Sequence, residues 1–131
     1  MDILEQLIVN GFAKKDFTLL KGKLKFTIKT LSGKEQLSIE DWMKDIKGTP
    51  AFIVHNFTLR MLTVGLLSYQ DTTLKGQNPE QIFGFVEQLD TTILDRLTAS
   101  QKDFYAECNK LANLDEIENL SPAPSVDSDS K

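Results

Sequence analysis

For acid–base or nucleophilic chemistry this chain has one histidine and one cysteine beside its carboxylates. His55 lies in the apolar run "TPAFIVHNFTLRMLTVGLLSY" at 49–69, where a hydrogen-bonded structural imidazole is a simpler reading than a general base or ligand. Cys108 falls on the apolar seam of an amphipathic segment and reads as a small core residue rather than a reactive thiol. Carboxylates are plentiful in the last third, but their positions look like the wet side of helices rather than a buried acid pair. No GxSxG, P-loop, GxGxxG, HExxH or CxxC is present. A binding or assembly protein is therefore expected rather than an enzyme, with no cofactor and no metal.

Length and composition set the frame that must position any site. At 131 residues, 40% apolar and 26% charged, the chain fits one domain able to bury a core without disulfides. A lone cysteine cannot form an intramolecular bridge, which favours a reducing compartment. In "MDILEQLIVNGFAKK" the acids precede the apolar residues and the lysines follow, the reverse of a secretory signal, so a cytosolic location is expected.

The net charge of −4 conceals a division along the chain. Residues 13–34 carry Lys14, Lys15, Lys21, Lys23, Lys25, Lys29 and Lys34 against Asp16 alone, while residues 79–131 hold eleven acids against four bases. Phosphate binding usually recruits arginine and stacking aromatics, and the lysine stretch has no arginine, so nucleic acid is not the expected partner. A solvated sheet face and docking to an acidic protein both remain as readings of these lysines.

The elements follow from periodicity. Ile3, Leu4, Leu7 and Ile8 recur at helical spacing behind Asp2, with Gly11 placed to end a short helix. Leu24, Phe26 and Ile28 alternate with Lys25, Thr27 and Lys29, predicting a hairpin around "KGK" with apolar residues inward and lysines outward. Two strands cannot stand alone and must lie on helices. In "LSIEDWMKDIKG", Ser38 with Asp41 predicts an N-cap, Ile39, Trp42, Met43 and Ile46 a helical face, and Gly48 the stop. Continuation of the sheet through "EQLSI" is the competing reading, because Leu37 and Ile39 also alternate.

Thr49 as N-cap and Pro50 at the first helical position predict a helix running to about Tyr69. His55, Asn56 and Arg60 near its middle argue against a membrane span. Phe52, His55, Leu59, Leu62 and Leu66 form one stripe, and Ile53, Phe57, Val64 and Leu67 cover much of the rest, which suits the centre of a fold or an interface. Asn78, Pro79 and Gln81 predict a further start, with Ile82, Phe83, Val86 and Leu89 on one face. From Asp90 a long amphipathic helix is expected, with Ile93, Leu94, Leu97, Phe104, Cys108 and Leu111 along its seam and "DEIENL" as an extension. The fold expected is α+β: an N-terminal helix and β-hairpin on a bundle of three or four helices over 1–120. Residues 121–131, "SPAPSVDSDSK", are expected to be a disordered tail.

The order of "LKFTIKTLSGKEQ", "FTLRMLTVGLLSYQ" and "FVEQLDTTILDRLTASQKDFY" over residues 22–112 resembles small tail proteins of long-tailed bacteriophages, the tail assembly chaperones and related baseplate hub proteins. The matching residues are Thr30 and Leu31, then Arg60, Leu62, Gly65 and Leu66, then Asp95, Leu97, Phe104 and Leu111. The loop "SYQDTTLKGQNP" departs from the pattern in the turn that follows the central helix.

What this resemblance implies is a non-enzymatic protein of the host cytoplasm that binds the helical tape-measure protein and keeps it soluble until tail-tube subunits displace it. A permanent subunit of the baseplate hub or tail tip, located in the virion, is the alternative, and a host-directed adaptor or inhibitor a third. Partner-binding residues expected are Lys25, Lys29, Phe57 and Arg60, with an acidic partner surface drawn to the two lysines. Self-association is also open.

Overall fold

The computed structural model describes residues 1–74 and 76–114. Among these, five helices and a four-stranded antiparallel sheet make an α+β fold. Helix α1, Ile3–Val9, starts at Asp2, whose side chain accepts from the Glu5 N–H while Glu5 reaches back, a complete capping box. Strands β1, Lys14–Leu19, and β2, Leu24–Lys29, then pair in continuous register from Lys14 opposite Lys29 to Leu19 opposite Leu24. Lys21 and Gly22 both have positive φ, 58° and 82°, between Leu20 and Lys23, whose N–H donates to the Leu20 carbonyl at 3.2 Å. That is the twist a right-handed hairpin requires. Leu24, Phe26 and Ile28 are buried on one face, as their alternation predicts.

Helix α2 spans Gly33–Met43, and its cap, Ser32, lies six residues before the expected one. Ser32 and Glu35 form its capping box, and Ser38 lies inside the helix with its hydroxyl donating to the Lys34 carbonyl at 3.0 Å. The reciprocal Ser32–Glu35 pair outcompetes Ser38–Asp41 because Glu reaches the cap N–H better than Asp. The sheet does not continue through 35–39, and the helix ends at Met43 rather than at Gly48.

Helix α3, Pro50–Gly65, has the expected cap: Thr49 accepts from the Phe52 N–H at 3.2 Å. It does not reach Tyr69. The chain passes at Leu66 into β3, Leu66–Tyr69, which pairs with β2 across a bulge between Thr27 and Ile28. Gly65 sits at this junction because a Cβ there would lie 2.5 Å from the Gln101 amide nitrogen and 2.6 Å from the Tyr105 hydroxyl. A two-residue strand β4, Thr72–Thr73, completes the order β1-β2-β3-β4, so the expected hairpin is half of a larger sheet.

Helix α4, Pro79–Glu87, is capped by Asn78, and α5, Thr91–Ala112, by Asp90. Gln81 is not the partner of the α4 cap, whose oxygen takes the Glu80 N–H at 2.8 Å. One apolar cluster joins the sheet to α3, α4 and α5 through Phe26, Ile28, Leu59, Leu62, Leu66, Val86, Leu97 and Phe104. Phe17 stacks on Phe26 at 5.0 Å and meets the Phe104 edge at 6.3 Å, fixing β1 to α5. The segment "DEIENL" and the tail from 121 lie outside the described residues.

Candidate protein-binding surface

Helix α3 is buried in its second half and open in its first. Leu59, Leu62, Thr63 and Gly65 are buried, whereas Phe52 is 50% exposed, Val54 62% and Ile53 36%. Apolar side chains on three successive positions of a central helix, open to water, are what a core helix should not carry. The local reason is the linker before Thr49: with α2 ending at Met43, only the latter part of α3 is enclosed by α2, α4 and the sheet.

Two grooves run beside this exposed face. Between α2 and α3 a space of about 350 Å³ is lined by Glu40, Met43, Lys44, Ile53, Val54 and Phe57. Between α3 and α5 a larger one of about 750 Å³ has Phe57, Met61, Ala99 and Ala106 among its walls, with Asp95, Arg96 and Lys102 contributing charge. Phe57, half-buried, divides the two grooves, and Val54 and Thr58 carry the surface on to a third space, of about 510 Å³, beside Leu94. The arrangement offers apolar anchors separated by one and two helical turns, the spacing that an amphipathic helix lying alongside would meet.

The four residues expected to bind a partner do not converge. Phe57 belongs to this surface. Lys25 is exposed on the sheet, its N–H held by the Gln70 side chain at 2.7 Å and its carbonyl by the Gln70 N–H at 2.6 Å. Lys29 is not a free outward lysine: its ammonium donates to both Glu35 oxygens at 2.6 Å and to the Thr30 carbonyl at 3.2 Å, and its side chain is only 15% exposed. Burial tends to raise the Glu35 carboxyl, but the bonds from Lys29 and Ser32 outweigh it and hold the group below its ordinary range.

Arg60 is buried, so its expected role at a partner surface is replaced by one inside the fold. Its guanidinium lies 4.7 Å from the Trp42 ring and 4.5 Å from the Phe83 ring, and donates to the Asn56 side-chain oxygen at 2.7 Å. Arginine is suited to this because a planar, weakly hydrated cation stacks between aromatic faces. Burial lowers its affinity for the proton, against which the Glu87 carboxylate works. Arg60 thus keys α2, α3 and α4 together.

The candidate chemical groups are likewise structural or solvated. His55 is exposed beside Pro50 and Thr58 and meets no hydrogen-bond partner among the described residues, contrary to the expected structural bond. Cys108 is 5% exposed, and burial, with Glu107 adding to it, pushes its thiol up in pKa. Among the described residues no three His, Cys, Asp or Glu side chains are grouped to hold a metal, and no helix is long and apolar enough to cross a membrane.

Sequence reasoning missed Gln101 and Tyr105. Gln101 donates to the Met61 carbonyl at 2.8 Å and to the Tyr105 hydroxyl at 3.0 Å, and that hydroxyl donates to the Lys29 carbonyl at 2.6 Å. Their i, i+4 spacing on the α5 seam was the available signal. Compared with protein-family models, curated proteins and solved structures, the chain matches none.

Proposed function

We propose that this protein is a non-enzymatic binding protein of bacteriophage tail assembly, and that it holds an amphipathic helical segment of the tape-measure protein against α3. The observation that carries the reading is the open face of α3, where Ile53 and Val54 are exposed and the half-buried Phe57 stands between two grooves. Shallow, open grooves suit reversible coating of a long helix, since affinity follows anchor quality rather than area alone. The sequence pattern over 22–112 supplies the phage assignment. Co-expression with the tape-measure protein encoded in the same genome tests it: that protein should stay soluble with this chain and aggregate without it. Equal solubility in both cases, together with stoichiometric copies of this chain in purified virions, would instead make it a permanent tail subunit.

A further inference from the structure

We propose that the free edge of β1 is a second binding site, which takes an extended acidic segment of a partner chain as a fifth, antiparallel strand. Thr30 donates its N–H to the Ala13 carbonyl at 2.8 Å, so Ala13 faces β2. Alternation then turns Lys15, Phe17 and Leu19 toward β2 and Lys14, Asp16 and Thr18 away from it. Two further bonds agree: Lys14 donates its N–H outward to the Gln6 side chain at 3.1 Å, and Lys25, opposite Thr18, bonds Gln70 on the β3 side.

Gln6 satisfies one outward group, at the start of the edge. The N–H and C=O groups of Asp16 and Thr18 meet no partner among the described residues. An edge in this state is a template for pairing. The loop after Leu19 leaves it accessible, with Leu20 47% exposed.

The side chains around the edge select the occupant. On the outer face Lys14 and Thr18 flank Asp16, whose carboxylate already accepts from the Thr27 hydroxyl at 2.6 Å. On the inner face the half-buried Phe17 and Leu19 present apolar flanks. From 14 to 25 the hairpin carries Lys14, Lys21, Lys23 and Lys25 against Asp16, besides Lys15, whose ammonium is already paired with the Glu107 carboxylate at 3.2 Å. A second copy of the same edge would bring like charge against like, which opposes self-pairing. The segment that fits has acids opposite the lysines and a β-branched residue opposite Phe17 and Leu19. This site lies on the sheet and does not depend on the α3 reading.

The probe is the peptide Ac-Glu-Val-Glu-Val-Thr-Glu-Glu-amide, written antiparallel so that its valines oppose Leu19 and Phe17 and its threonine opposes Asp16. Added to the full-length protein labelled with nitrogen-15, it should slow amide exchange at Asp16 and Thr18 and leave the α3 amides unchanged. N-methylation of its third and fifth residues, whose amides face β1, should abolish binding; N-methylation of its two valines should not. Lys14→Glu should weaken binding several-fold, the exposed ion pair between Lys14 and the peptide's last glutamate being replaced by a repulsion. Equal binding by both methylated peptides would overturn the proposal, since charge alone would then suffice. So would slow exchange of Asp16 and Thr18 before any peptide is added, because another segment of the chain would already hold the edge.

Discussion

Replacing Arg60 by alanine removes the cation from between Trp42 and Phe83 and leaves the Asn56 side chain without its 2.7 Å partner. The expected cost is about 3 kcal/mol, combining a desolvated cation–ring contact with a charged hydrogen bond. Phe57→Ala should cost about half of the 3–5 kcal/mol of a fully buried Phe→Ala, because Phe57 is half open. Urea unfolding of the two variants checks both, and the reverse order would place Arg60 at the surface. Tyr105 makes a pH prediction of the same kind. Burial pushes its phenol up to about 12 from an ordinary 10.0, so its neutral form is the one the fold holds. The unfolded chain therefore loses this proton first. The stabilisation is complete below pH 10 and disappears as pH rises toward 12. In Tyr105→Phe the unfolding midpoint should fall less steeply over that interval.

Between elements, the Lys29–Glu35 pair ties the end of β2 to the first turn of α2. A carboxyl held below its unfolded value contributes fully above that value, 4.5, and the contribution is lost as pH falls through the lowered folded value. Lys29→Ala should flatten the loss of stability in acid, measured as urea midpoints between about pH 3 and pH 6. An unchanged acid limb would mean that the pair contributes nothing. The same joint explains what was legible in the sequence. Asp2, Thr49–Pro50, Asn78–Pro79 and Asp90 announce their helices because cap chemistry is local. The start of α2 was readable too, but two Ser–acid pairs three residues apart competed for it, and only the longer Glu35 side chain closes a box. The end of α3 was not readable from its own residues. Leu66 and Leu67 continue a helical stripe, and what turns the chain into β3 is the pairing of Leu66 with Ile28 and of Ser68 with Thr27, about forty residues earlier, with Gly65 admitting Gln101 and Tyr105.

At the scale of the whole molecule, charge and apolar surface are separated. The lysine-rich hairpin forms one side of the sheet, and the open apolar face of α3 borders α2 and α5. The lysine-rich hairpin and the apolar helix were legible in the sequence, yet it could not separate the half-open Phe57 from Arg60, which is enclosed, since both lie within one turn of the same apolar helix. That separation needs α4, whose Phe83 reaches Arg60, and no pattern within α3 reports it. The measurement that tests the central reading most directly compares the soluble fraction of the co-expressed tape-measure protein with wild type and with the double variant Ile53→Asp and Val54→Asp. Ile53 and Val54 are both exposed, so the variant should remain folded by circular dichroism. The account predicts that the folded variant leaves the tape-measure protein insoluble while wild type keeps it in solution. A folded variant that protects its partner as well as wild type does would contradict it.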